Sequence, residues 1–316
     1  NVGVEFTVNT VNFSTRKFSW NTTLTLSHNK NSVKALTGEA VQLYEAKFGF
    51  NQNTHRIAVG EPLGQFYGYI TEGLYQVDDF NYDASTQTYT LKDGVPYHGD
   101  KGQIRPGMWK FKNLTGDDNV IDENDKTVIG NAQPKFYGGL NNSFTYKGFD
   151  LSIFLTFSYG NEVLNATKLV TSKVGSLNYN ALDVMNSSNR WMTINTEGEK
   201  VTDPGELAVL NAGKTVAVYH DAQQGDNYIH SWAVEDASYL KLSNVTLGYT
   251  FPKNLIARVG LKNLRLYATG NNLLTWTKYS GFDPEVSTMK SGLTPGVDFG
   301  AYPLSRSFIF GLNVAF

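Results

Sequence analysis

The run "NLTGDDNVIDENDKTVIG" places oxygen-bearing side chains at alternate positions, Asn113, Thr115 and Asp117. A loop that wraps calcium offers its first ligands at that spacing, with a glycine for the sharp turn. Here Asp118 stands where the glycine is needed, and one extra residue moves Ile121 and Asp122 out of register. Asp122 and Asp125 could still supply carboxylates, so calcium is the one cofactor the sequence suggests; the other reading is a plain acidic turn. A second run, "AVLNAGKT" (208–215), fits a permissive phosphate-loop pattern. That chemistry needs a strand before the loop and a helix after it. "DPGE" lies upstream and the strand-like "VAVYHD" follows, so the match reads as chance. The histidines at 28, 55, 98, 220 and 230 are scattered without metal-ligand spacing. Paired carboxylates of the glycosidase kind cannot be picked out, and no enzyme is expected. Trp109, Tyr179, Trp191, Tyr219 and Trp232 lie in or beside long connections. Aromatic faces there suit sugar rings or a partner surface, or else pack the connections themselves.

The elements that would position these residues are strands. In "SRSFIFGLNVAF", Phe308, Phe310, Leu312, Val314 and Phe316 fall on one face, against Ser307, Ile309, Gly311, Asn313 and Ala315, mostly small or polar, on the other. A period of two is the strand period. The pattern recurs with Val2, Val4, Phe6 and Val8, with Phe18, Trp20, Leu24 and Leu26, with Leu151 to Tyr159, and with Val245, Leu247, Tyr249 and Phe251. Roughly eight to ten such segments can be counted, many about ten residues long, enough to cross a bilayer when tilted. Helical periodicity is scarce; "PKNLIARVG" is the best case. "VNFSTRKF" and "TYKGFD" read as short turns, whereas 76–132, 160–232 and 274–304 are long connections. Short turns at one end and long loops at the other, with aromatics near segment ends, are the arrangement of outer-membrane barrels. A soluble β-sandwich also alternates and is the competing architecture.

Composition is compatible with this. The 316 residues carry a net charge of −2, 13% aromatics with 18 Tyr and 19 Phe, 30 Gly and no Cys. Nucleic acid is not an expected partner at that charge. No apolar run reaches transmembrane-helix length, no secretory signal opens the sequence, and the first residues already alternate as if within a strand.

"VIGNAQPKFYGGLNNSFTYKGFDLSIFLTFSYGN", "SYLKLSNVTLGYTFP", "LRLYATGNNLLTWTKYSGFDPE" and "GVDFGAYPLSRSFIFGLNVAF" resemble the C-terminal barrel strands of SusC-like TonB-dependent transporters, in the family's order. "GVEFTVNTVNFSTRKFSWNTTLTLSHNKN" resembles a mid-barrel hairpin of that family. The resemblance implies an all-β fold: the C-terminal part of an antiparallel transmembrane β-barrel of about 22 strands. It implies an N-terminal plug and TonB-contacting segment outside this chain, and a strand outside it that pairs with residues 2–11. Implied partners are outer-membrane lipid, the remainder of the barrel, a SusD-like surface lipoprotein, TonB, and a glycan or peptide substrate. Phe308, Phe310, Leu312, Val314 and Phe316 would face lipid, and the final aromatic would act as the barrel-insertion signal. Glu5, Asn9, Asn21 and Thr156 would face the lumen. Many relatives carry a calcium loop of the type Asp-x-Asn-Gly-Asp-Gly-x-Ile-Asp at the position of 113–125. The function implied is nutrient import across the outer membrane of a Bacteroidetes-like cell. A receptor for siderophores or cobalamin without a lipoprotein cap, and a soluble β-rich binding module, are the alternatives. The connection 160–232 is expected outside the cell.

Overall fold

The computed structural model describes every residue except 39, 46–51, 117, 173–179, 219–227 and 289–290. Alternating residues with β-branched and aromatic side chains form long strands wherever turn chemistry lets the chain reverse. Seven of them make one antiparallel sheet. They are β1 (Val2–Ser14), β2 (Phe18–Lys30), β3 (Phe136–Tyr146), β4 (Phe149–Tyr159), β5 (Tyr239–Thr250), β6 (Asn263–Thr277) and β7 (Ser307–Ala315). Their order in the sheet is their order in the chain. The sheet has fewer strands than the periodic segments suggested. Runs such as Asn53–Ala58 and Thr127–Asn131 are too short to join it and pair elsewhere.

Register decides what the sheet presents. Cross-strand partners share a face, so the pairs Phe6–Leu26, Leu24–Leu140, Leu140–Leu155, Ile153–Val245, Leu247–Ala268 and Ala268–Phe310 place their residues on one side. Glu5–Ser27, Asn9–Thr23, Asn21–Ser143, Gly139–Thr156, Thr246–Thr269 and Arg265–Asn313 lie on the other. One face is therefore predominantly apolar across the seven strands, and the opposite face carries mainly hydroxyls, amides and a few charges, with Val11, Phe154 and Ile309 among them. A strict period of two would have put Leu240 and Leu242 among the polar residues. A β-bulge at Ser243 inserts one residue, and both leucines return to the apolar side, opposite Phe157 and Leu155.

That apolar face is uncovered. Among the described residues, no buried hydrophobic side chain belongs to a strand of the sheet. Val2 is 77% exposed and Phe310 81%. A sandwich would bury this face under a second sheet about 10 Å away. The polar interruption at its centre satisfies itself: Trp20 Nε1 and Thr22 Oγ1 both donate to Asn142 Oδ1, at 3.0 and 2.7 Å. The strands, 9 to 15 residues long, match the tilted span of a bilayer. β1 and β7 are the sheet's two edges and do not pair with each other.

The core lies instead in the connections. Residues 31–135, 160–238 and 278–306 all leave from the same end of the sheet and fold together into a layer. It holds a four-stranded sheet (Val41–Glu45, Asn53–Ala58, Gln65–Gly68, Thr127–Asn131), a three-stranded one (Glu162–Asn165, Val234–Asp236, Val297–Asp298) and the helices Ala166–Thr171 and Pro204–Leu210. Its buried side chains include Phe66, Tyr75, Phe111, Leu164 and Trp191. At the opposite end the links are short, Thr15–Lys17, Lys147–Gly148 and 251–262, the last with the helical turn Lys253–Ile256 that its periodicity predicts.

Close packing on the polar face depends on glycine. Tyr267 lies across its partner Gly311, where a Cβ would sit 2.1 Å from the ring. Gly311→Ala should therefore lower stability by about 1–3 kcal/mol, the usual cost of overpacking, read from denaturant unfolding in detergent. Adding Tyr267→Ala should recover part of the loss; a Gly311→Ala chain as stable as wild type would remove this role.

Candidate functional site

The polar face is a hydrogen-bonded surface rather than a set of isolated groups. Thr23 Oγ1 donates to Asn9 Oδ1 at 2.7 Å, Ser152 Oγ to Asn141 Oδ1 at 3.1 Å, and Asn244 Nδ2 to Asn271 Oδ1 at 2.7 Å. Thr156 and Ser243 hydroxyls meet at 2.6 Å, which places the bulge residue in the network. Glu5, Asn9, Asn21 and Thr156 all lie on this face, as expected of a lumen. Near the short turns, Arg265 grips Asp150 with two bonds, Nε to Oδ1 at 3.0 Å and Nη2 to Oδ2 at 2.6 Å. Gly248 makes room for the pair; a Cβ there would stand 2.5 Å from Arg265 Nη2. Bidentate geometry and partial burial make this pair more than a loose surface contact.

Where sheet and layer meet, Glu285 joins them. One carboxylate oxygen accepts from Tyr239 Oη at 2.7 Å and the other pairs with Lys241, both of β5. The connection 278–306 therefore lies against the polar face. Glu235 ties the layer together. It accepts from Lys168 Nζ at 3.0 Å, Ser280 Oγ at 2.8 Å and Ser280 N at 2.9 Å. Burial alone would raise its pKa, but the Ser280 donors and the Lys168 ammonium hold it below the usual range. Lys168 also donates to Trp232 O at 3.0 Å and stands 4.1 Å above the Trp232 ring.

The aromatic candidates are largely interior. Trp109 is 4% exposed and Trp191 1%, which corrects their reading as contact residues for substrate or partner. Trp191 packs on Gly107, where a Cβ would come within 2.3 Å of the indole. Trp109 meets Trp232 at 4.9 Å and His230 at 5.1 Å in an aromatic cluster that extends through Phe111 to Tyr69 and His98. Trp232 is half-buried against that cluster. Tyr179 and Tyr219 lie outside the described residues. The rings are inside because they supply the apolar area that lets such long connections fold.

The acidic run folds around Asp125. Its Oδ1 accepts from Leu114 N at 2.6 Å, Thr115 N at 2.8 Å and Thr115 Oγ1 at 3.1 Å, and Oδ2 from Asp122 N at 2.8 Å. Asp122 caps the next turn through Asn124 N at 2.7 Å. Burial would raise the Asp125 pKa, but these donors hold it below the usual carboxylate value. Asn113 Oδ1 is buried without a hydrogen-bond partner, and Asp117 lies outside the described residues. Among the described residues no group of three or more His, Cys, Asp or Glu side chains is placed to hold a metal ion. The geometry is that of a carboxylate clamping its own loop. In 208–215 the helix Pro204–Leu210 precedes the glycine instead of following it, so no phosphate cradle forms.

A seven-stranded meander of alternating polarity, with its long loops at one end, invites comparison of the chain with known proteins. No protein-family model matches it. It is 34% identical over 323 residues to TonB-dependent receptor P3 of Formosa agariphila, all of this chain against 28% of that protein. It is 28% identical over 327 residues to TonB-dependent receptor SusC of Bacteroides thetaiotaomicron, again over all of this chain and 26% of the relative. The chain resembles SusC-like TonB-dependent receptors along its whole length. It spans between a quarter and a third of the curated relatives it matches. In fold it matches the solved RagAB peptide transporter with a TM-score of 0.67 at 19% identity, over 99% of this chain and 29% of that one. These proteins carry receptor and transporter names, not those of enzymes.

His98 lies in the aromatic cluster, 2% exposed, with neither ring nitrogen hydrogen-bonded. Burial lowers its pKa to about 4, from 6.5. The unfolded layer therefore binds a proton in this window that the folded one refuses. Stability is lost as pH falls from about 6.5 to about 4, by about 3 kcal/mol if the whole shift is expressed. Tryptophan fluorescence of the intact receptor should report the layer loosening across that range. His55 of the same layer is also buried, with its pKa lowered to about 4, so His98→Phe should remove about half of the combined dependence; an unchanged profile would exclude His98 as a source.

Proposed function

We propose that this chain forms part of the wall and the outer loop layer of an outer-membrane importer of the SusC type. The observation that carries the reading is the sheet whose apolar face is uncovered while its other face is predominantly hydroxyl and amide. Such a sheet is stable only where one side meets hydrocarbon and the other water. The apolar face, ending on Phe308, Phe310, Leu312, Val314 and Phe316, meets lipid, and the polar face lines the passage. Long loops of outer-membrane barrels face outward and short turns face the periplasm. The layer made of 31–135, 160–238 and 278–306 is then extracellular, where a SusD-like lipoprotein can cover it. Energy comes from TonB acting through a plug segment.

The cargo class is oligosaccharide or peptide. Both present hydroxyls, carbonyls or amides that hydrogen-bond reversibly with a wall of Ser, Thr and Asn, and the structural neighbour RagAB is described as a peptide importer. A calcium ion at 113–125 is no part of this reading, since Asp125 already engages four donors of its own loop.

These 316 residues contain no cysteine, and Ser188→Cys, at an exposed position of the 160–238 connection, should make the receptor react above its unsubstituted background with a membrane-impermeant thiol reagent on intact cells. Reaction only after permeabilisation would invert the orientation. Release of the receptor from membranes without detergent would refute the lipid-facing sheet. Deleting Phe316 should reduce assembled receptor in the outer membrane far more than it reduces synthesis; normal assembly would remove its role as insertion signal.

A further inference from the structure

The short-turn end of the sheet carries a charge pattern that import does not use. A groove of about 470 Å³ opens between the turns Thr15–Lys17 and Lys147–Gly148, lined by Arg16, Lys17 and Lys147 together with Phe18, Tyr146 and Phe149. None of the three cations is ion-paired among the described residues. The one carboxylate in the lining, Asp150, is taken by Arg265. The neighbouring link 251–262 adds Lys253, Arg258 and Lys262 and contains no Asp or Glu. The groove at the loop end is different: Lys30 and Lys135 share it with Glu162 and Asp236.

The site also sits at a defined depth. Phe18, Tyr146 and Phe149 belong to the apolar face through the pairs Phe18–Tyr146 and Tyr146–Phe149. The cations thus stand directly beyond the last aromatic row of the sheet, where lipid headgroups begin. Lys147 occupies a backbone position that argues against it. It has φ 46° and Gly148 has φ 93°, the two left-handed central residues of a hairpin turn in which Asn is the usual first choice. The lysine placed there sets its ammonium 5.2 Å from the Tyr146 ring centroid, holding the charge at the interface.

We propose that this groove binds the phosphate of an anionic phospholipid headgroup in the leaflet at the short-turn end. The inference rests on the reading of the apolar face as lipid-facing. Arg16 and Lys17 from one turn and Lys147 from the next converge on the phosphate, the aromatic rings flank the glycerol region, and the acyl chains run along the apolar face.

The test is native mass spectrometry of the intact detergent-extracted receptor, titrated with phosphatidylglycerol or with phosphatidylethanolamine of the same acyl chains. Phosphatidylglycerol should be retained at about tenfold lower concentration, as expected for cations close to a membrane surface. The preference should disappear in Arg16→Gln/Lys17→Gln/Lys147→Asn. Lys147→Asn alone should weaken it with no loss of fold, because Asn suits the turn better than Lys does. Equal preference in wild type and variants overturns the proposal. So does displacement of the lipid by glycerol 3-phosphate at matching concentration, which would make the groove a site for soluble phosphate. Lipid retained without headgroup preference defeats this inference alone, whereas a receptor that retains no lipid and needs no detergent defeats the membrane reading beneath it.

Discussion

The molecule depends on phase. A strand sends successive side chains to opposite faces, and a sheet has a uniform face only if every strand enters the ladder with the same parity. Here seven strands do so, and from Phe6–Leu26 to Ala268–Phe310 the register places most apolar residues opposite apolar ones. Two irregularities protect that phase instead of disturbing it. The shift between Val11 and Phe13 puts Phe13 opposite Trp20, and the bulge at Ser243 returns Leu240 and Leu242 to the apolar side. A slip of one residue in any strand would drive its leucines into a hydroxyl network and its threonines into hydrocarbon.

The loop layer obeys different rules. Its stability comes from buried rings and aliphatic side chains, as in a soluble domain, and from polar joints such as Glu235 with Ser280, which close the connection 160–238 onto 278–306. The sheet contributes no buried hydrophobic residue among those described. The two parts are coupled by polar contacts at their seam, chiefly Glu285 with Tyr239 and Lys241. The wall can therefore be specified by membrane thickness and register while the layer varies in sequence and shape.

Much of the wall was legible because period-two patterning is local. Phe308, Phe310, Leu312, Val314 and Phe316 could be assigned to one face without any partner strand, as could Leu151 to Tyr159. The short turns and the helical turn at Lys253–Ile256 were equally local. What could not be read is what depends on distant pairing. Arg265 and Asp150 lie on different strands with nothing adjacent to mark them as a couple. Trp109 and Trp191 look alike as exposed contact residues or as core until the chain that covers them is known. Asp125 has the composition of a cation ligand, and only the placement of Leu114, Thr115 and Asp122 amides around it gives the oxygens another use.

All long connections leave from one end, and this shapes how the chain can assemble. β1 with β2, β3 with β4, and β5 with β6 are joined by brief links, so each hairpin closes at small entropic cost. The remaining seams, β2 to β3, β4 to β5 and β6 to β7, bring together strands separated by 31–135, 160–238 and 278–306. Pairing across them has the high contact order that slows folding. Within these seven strands the local building blocks are thus three hairpins, with β7 joining through the last of the slow seams. The folded loop layer, by holding together the ends from which those strands depart, shortens the effective distance each slow seam must search.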